Sequence, residues 1–76
     1  MSTVLMWEVR AAPGRLADLV DAVRSAADPA ASIYASADPD ERVVVIDPTG
    51  RGPGHVAAEL VARDPHEWIF DVVDRA

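Results

Sequence analysis

The sequence contains no cysteine, so disulfide bonds and thiolate metal sites are excluded. Lysine is also absent, and the seven basic side chains, all arginines, are dispersed along the chain. No apolar run approaches the roughly 20 residues needed to cross a membrane. The first residues carry no basic flank and reach an acidic residue too early for a secretory signal. We therefore expect a cytoplasmic protein that does not associate with membranes.

Acidic side chains outnumber basic ones by 13 to 7, which gives a formal net charge of -6. An acidic chain repels nucleic-acid phosphates, and arginines spread along the sequence form no basic patch. Nucleic acid is therefore not an expected partner. The two histidines, His55 and His66, are far apart and no cysteine supplements them. We expect no metal site and no cofactor.

The chain is short enough that residues 1–76 are expected to form a single domain with one core. A core of this size leaves little net stability once the conformational entropy of the chain is counted. Disulfides and metal ions, which often stabilise small domains, are not expected here. Oligomerisation is the remaining source of additional stability, so we expect a homodimer.

Four segments have the alternation of β-strands. Residues 4–10 place Leu5, Trp7 and Val9 on one side. The segment Arg42–Asp47 is apolar on both sides, which predicts a strand in the middle of a sheet. Residues 32–37 are small and polar, as in an edge strand, and residues 67–73 form the last predicted strand.

Two segments have apolar residues at helical spacing. The first follows Pro13-Gly14 and ends before Pro29, because proline disfavours a helical conformation in the residue before it. The second is a short helix predicted over residues 55–63, after a glycine-rich connecting loop. The apolar positions are Leu16, Leu19, Val20, Val23 and Ala27 in the first helix and Val56, Ala57, Leu60 and Val61 in the second.

The predicted order, strand, helix, strand, strand, helix, strand, is the ferredoxin-like βαββαβ arrangement. This is an α+β fold in which both helices cover one face of a four-stranded antiparallel sheet. Apolar side chains from three strands then remain on the other face, which is more than a monomer usually exposes. A second copy of the chain is the expected cover.

The candidate pocket residues are aromatic. Trp7 and Trp68 are either core residues or, with Tyr34, the walls of a pocket for a flat aromatic ligand. His66 lies two residues before Trp68, so in a strand the two side chains point the same way. His66 is then either a general base beside the indole or a solvated histidine at a strand start.

Glu8 and Asp71 fall on strands that are expected to be neighbours. Under a covering sheet they could form a carboxylate pair that acts as acid and base. The alternative is that Glu8 pairs with Arg10 or with an arginine of a partner chain. No nucleophile with an adjacent base is visible in the sequence.

Two stretches carry a family resemblance. Residues 9–16, Val-Arg-Ala-Ala-Pro-Gly-Arg-Leu, and residues 33–46, which include Asp38-Pro39-Asp40-Glu41, resemble the antibiotic biosynthesis monooxygenase-like group of the dimeric α/β-barrel superfamily. The resemblance covers most of residues 4–47. It implies a dimeric α/β barrel and, in some members, oxidation of aromatic polyketides or quinols without metal or flavin. The asparagine of the haem-degrading members has no match here, because the chain contains none.

The turn at Pro13-Gly14 also resembles that of amino-acid-binding regulatory (ACT) domains, which share the strand order. RNA-recognition motifs share it too, but Arg42–Asp47 lacks their base-stacking aromatics. Two functions therefore stay open. One is a cofactor-independent oxygenase for a hydrophobic aromatic metabolite, and the other is a non-catalytic dimer that binds a ligand or another protein.

Overall fold

The computed structural model describes residues 2–74. Its four strands form one antiparallel sheet in the order β2-β3-β1-β4. The chain is thus a small α+β domain compatible with the ferredoxin-like topology, and the prediction that the first and third strands are central is confirmed. The elements are β1 (Thr3–Arg10), α1 (Leu16–Ala26), β2 (Ser32–Ser36), β3 (Arg42–Asp47), a 3-10 turn (Ala58–Leu60) and β4 (His66–Asp71).

The prediction of a second helix over residues 55–63 is wrong. Only the single 3-10 turn forms there. The chain after it is extended and bridges to β1: the N–H of Ala62 donates to the carbonyl of Arg10 at 2.9 Å, and Val61 forms a bridge with Ala11. A short segment with an apolar stripe forms a helix only where tertiary packing stabilises it. Here backbone groups of the segment form hydrogen bonds with β1 instead.

One face of the sheet is covered by α1, as its apolar stripe predicts. Leu19 and Val23 of the helix are fully buried. They pack with Leu60 of the 3-10 turn, so the turn contributes to the same core that the second helix was expected to cover. The sheet residues of this core are Trp7, Val9, Ala11, Val43 and Val45.

The start of α1 is tied to the hairpin that joins β2 to β3. Glu41 accepts a hydrogen bond from the N–H of Gly14 at 2.9 Å, just before the helix begins. Gly14 has a φ of 77°, a conformation that favours glycine. Among residues 2–74, no helix is long and apolar enough to span a membrane.

The register of the strands assigns every side chain to a face, because directly opposite residues in an antiparallel pair point the same way. Trp7 lies opposite Val45 and Glu67, on the side of α1. Met6 lies opposite Ile46 and Trp68, on the other side. We call this second side the open face. It carries Val4, Met6, Glu8, Arg10, Ser32, Tyr34, Ser36, Arg42, Val44, Ile46, His66, Trp68 and Phe70.

Candidate functional site

The open face has aromatic side chains along both edges. Tyr34 of β2 is 58% exposed, and Trp68 and Phe70 of β4 are 44% and 47% exposed. The floor between them is half-buried aliphatic surface from β1 and β3. Because β2 and β4 are three strand spacings apart, the two aromatic edges are separated by about 14 Å. The apolar part of this face is therefore broad and is flanked by exposed aromatic side chains.

The three aromatic residues predicted to line a pocket lie on two different faces of the sheet. Tyr34 and Trp68 share the open face but occupy its opposite edges. Trp7 is on the other side of the sheet, 1% exposed within the core. Within residues 2–74, these three side chains therefore do not line a single pocket. Trp7 has the core role that the sequence left as one of two alternatives.

His66 and Trp68 lie side by side on the open face, as the strand alternation predicts. Their ring centroids are 5.6 Å apart with the planes at 77°, an edge-to-face arrangement. Arg63 places Nη1 3.0 Å from the ring nitrogens of His66. A guanidinium only donates, so which of the two ring nitrogens can accept from it depends on the tautomer of His66. The His66 side chain is nevertheless 53% exposed.

Glu8 is the centre of a charged cluster on this face. Its carboxylate is only 8% exposed and accepts hydrogen bonds from Arg42 Nη1 at 2.8 Å and from Arg63 Nη2 at 3.1 Å. His66 Nδ1 is 3.9 Å from the same carboxylate. Arg42 continues the network to Asp40, with Nη2 3.2 Å from Oδ2. We call Glu8, Arg42, Arg63 and His66 the Glu8 cluster.

Glu8 and Asp71 are not brought together. Glu8 lies opposite His66, whereas Asp71 lies opposite Thr3 at the other end of β1, on the side of α1. The register decides this, since it pairs Met6 with Trp68 and so turns Asp71 away from the open face. The sequence left open that Glu8 instead pairs with an arginine, either Arg10 or one from a partner chain. In the structure Glu8 does pair with arginine, but the partners are Arg42 and Arg63 of the same chain.

The two arginines were not identified from the sequence as partners of Glu8. Arg42 is the first residue of β3 and lies opposite Arg10, two positions from Val44, which lies opposite Glu8. Arg63 reaches Glu8 only because the chain after the 3-10 turn runs along β1. The predicted helix over residues 55–63 gave no indication of this contact. No local pattern in the sequence indicates this contact, because it depends on how the segment after the 3-10 turn packs against β1.

A second buried carboxylate, that of Asp47, belongs to the last residue of β3. Its burial was not predicted from the sequence. Asp47 is 0% exposed. Its Oδ1 accepts hydrogen bonds from the N–H and hydroxyl of Thr49 at 2.8 and 2.6 Å, and its Oδ2 accepts from the N–H of Gly52 at 2.9 Å. Burial disfavours the charged form, but these hydrogen bonds outweigh it and lower the pKa of Asp47 below its ordinary value of 3.8.

This carboxylate shapes the glycine-rich loop that follows β3. Gly52 has a φ of 69°, and a Cβ placed on it would lie 2.8 Å from Cδ2 of Leu5. The loop therefore covers Leu5, the end of the apolar row of β1. At the loop surface Arg51 pairs with Asp28, just beyond α1. All the loop donors named here have partners inside the chain, so the loop acts as a connector.

Residues 2–74 enclose no cavity. Over the same residues, no three His, Asp or Glu side chains converge in an arrangement that could hold a metal ion. Comparison of the chain with protein families, with curated proteins and with solved structures finds no match. The resemblance to the monooxygenase-like group therefore stays a prediction, and the surface of the sheet is the remaining indication of function.

Proposed function

We propose that this chain is a non-catalytic interaction module that works as a homodimer, with the open face of each copy covering that of the other. The observation that carries the proposal is the exposure of Tyr34, Trp68 and Phe70 on a sheet face that no described segment covers. At about 200 Å² for each aromatic side chain, their exposed parts amount to roughly 300 Å². Half-buried valine, methionine and isoleucine side chains extend this patch.

The areas agree with a small but specific interface. The chain exposes 4909 Å², which is about 400 Å² more than is typical for a compact monomer of this mass. Four strands of about six residues give a face of roughly 400 Å², or about 600 Å² once the relief of the side chains is included. Two such faces bury about 1,200 Å², the lower end of standard protein interfaces.

Placing a cation at the centre of the face tests the proposal. Val44 is half-buried on β3 and lies opposite Glu8, so a lysine at this position has a carboxylate nearby and the monomer can still fold. We expect sedimentation velocity to give a dimer for the wild type and a monomer for Val44→Lys. Val44→Thr, which has the same shape and no charge, is the matched control and stays a dimer.

A monomeric wild-type chain at micromolar concentration contradicts the proposal, and so does a Val44→Lys variant that remains dimeric. Circular dichroism of each variant establishes that the fold is retained. A dimer that survives Val44→Lys but dissociates when another surface is altered places the interface elsewhere.

A catalytic role is the second candidate, and the contact between His66 and Trp68 favours it. If a second copy covers the open face, this pair lies at the edge of the interface between the two copies, where a hydrophobic aromatic metabolite could stack on the indole. The reaction implied by the family resemblance is oxidation of a quinol or naphthol by dioxygen. Turnover of such a compound that His66→Ala abolishes supports this role, and turnover that His66→Ala leaves unchanged excludes His66 as the base.

A further inference from the structure

Within residues 2–74, no strand pairs with the outer edge of β4. One hydrogen bond shows which backbone groups of β4 face away from the sheet. β4 is a terminal strand of the sheet. The N–H of Val72 donates to the carbonyl of Ser2 at 2.8 Å, so this residue directs its backbone towards β1. Backbone directions alternate along a strand. Glu67, Ile69 and Asp71 therefore direct their N–H and C=O groups away from the sheet.

The side chains along this edge are apolar on both faces. Trp68 and Phe70 are half-exposed on the open face, and Ile69 is 62% exposed on the face of α1. Ile69 is uncovered because the 3-10 turn replaces the second helix on that side. A face-to-face dimer would cover the two aromatics but not Ile69. An added strand would cover all three, since its own side chains alternate between both faces.

The charges on the edge identify the strand that fits. Glu67 and Asp71 flank Ile69 on the same face, and neither forms an ion pair with another described residue. Two copies of β4 cannot avoid repulsion. Centred on Ile69, a two-fold antiparallel pair sets Glu67 of one copy opposite Asp71 of the other. Centred on Trp68, it makes the two Glu67 side chains diagonal neighbours.

We propose that the β4 edge binds an extended peptide segment of a partner protein, with basic side chains opposite Glu67 and Asp71 and apolar side chains at the three positions between them. The acidic pair that opposes self-association then becomes the feature that selects the partner. Backbone hydrogen bonds at Glu67, Ile69 and Asp71 supply affinity, and the pattern basic, apolar, apolar, apolar, basic supplies specificity. The site shares Trp68 and Phe70 with the open face. Its outward backbone groups and the side chains of Glu67, Ile69 and Asp71 lie outside that face, so a dimer formed through it leaves them available.

Amide hydrogen exchange of the full chain with a capped peptide of central sequence Arg-Val-Val-Val-Arg tests this proposal. In the free protein the amides of Glu67, Ile69 and Asp71 exchange fast, whereas those of Trp68 and Phe70 are already protected by β1. Peptide binding is expected to protect the first three. Protection that does not follow this alternation, or no binding of the arginine peptide, overturns the proposal.

A charge exchange provides the matched control. The double variant Glu67→Lys with Asp71→Lys is expected to bind the arginine peptide at least about tenfold more weakly, because two attractive cross-strand pairs become repulsive. It is expected to bind the peptide Glu-Val-Val-Val-Glu, which the wild type rejects. Equal binding of the arginine peptide by both proteins contradicts the charge selection.

Two further results keep the test decisive. If the lysine variant does not fold, the alternating protection of the wild type and its preference for arginine over glutamate peptides still decide the matter. If Glu67, Ile69 and Asp71 are protected without peptide and lose protection on dilution, a second copy occupies the edge and the proposal is wrong.

Discussion

Replacing Asp47 by asparagine removes one charge from the interior with almost no change in shape. The carboxylate accepts three hydrogen bonds, two at Oδ1 from Thr49 and one at Oδ2 from Gly52. Asparagine has a single side-chain oxygen. If that oxygen faces Thr49, its amide group faces the N–H of Gly52, and two donors then oppose each other in a buried place. The variant must lose at least one hydrogen bond.

The expected cost follows from the contacts. A hydrogen bond to a charged group contributes about 1.5–3 kcal/mol, and a buried donor left without an acceptor adds to the loss. We expect Asp47→Asn to lower the free energy of unfolding by about 2–4 kcal/mol at pH 7, which corresponds to a fall in Tm of about 10–30 °C for a chain of this size. Urea unfolding followed by circular dichroism measures it. Asp18→Asn removes the same charge from an exposed ion pair and is expected to change stability by less than about 0.5 kcal/mol.

The pH dependence gives an independent check. Because the pKa of Asp47 is lower in the folded chain than its ordinary value of 3.8, the carboxylate stabilises the fold at pH values above that ordinary value. This contribution is lost as the pH falls below 3.8 through the folded pKa. The difference in stability between wild type and Asp47→Asn should therefore be constant from neutral pH down to about pH 5 and shrink below about pH 4. A variant as stable as the wild type, or a difference that grows in acid, would refute the reasoning.

Two further predictions concern the loop and the Glu8 cluster. Gly52→Ala should lower the free energy of unfolding by at least about 1 kcal/mol more than Gly50→Ala. Both glycines have a positive φ, but only a Cβ at Gly52 meets another side chain, that of Leu5 in β1. Equal shifts in Tm for the two variants contradict this. Glu8→Gln should cost about 1–3 kcal/mol in urea unfolding, because Arg42 and Arg63 lose their common anion. Added salt should leave most of that cost in place, since the carboxylate is largely buried, and a cost that salt abolishes would place the pair in solvent.

The strands and α1 follow from local patterns, which is why the sequence predicts them well. The alternation of Leu5, Trp7 and Val9 predicts that β1 has one apolar face, and the structure places that face under α1. The two-sided apolar character of β3 predicts its central place in the sheet. These features are short-range, since each depends on residues within one element.

The candidate site depends on relations between elements, and here the sequence was insufficient. The register of β4 against β1 sets Glu8 opposite His66, and a change of one residue would have turned Asp71 towards the open face. The missing second helix leaves Ile69 exposed and brings Arg63 to Glu8. Neither result could be read from the period of the apolar residues in 55–63.

Composition and periodicity alone determined an acidic, cysteine-free α+β chain, the amphipathic helix α1 and a β3 that is apolar on both sides, because these depend on side-chain chemistry and spacing. Only the tertiary structure decided which charged groups meet, that Asp47 is buried beneath its loop, and that no strand among the described residues pairs with the outer edge of β4. The physical reason is that strand register and the competition between a helix and pairing with β1 are settled by contacts between segments distant in sequence.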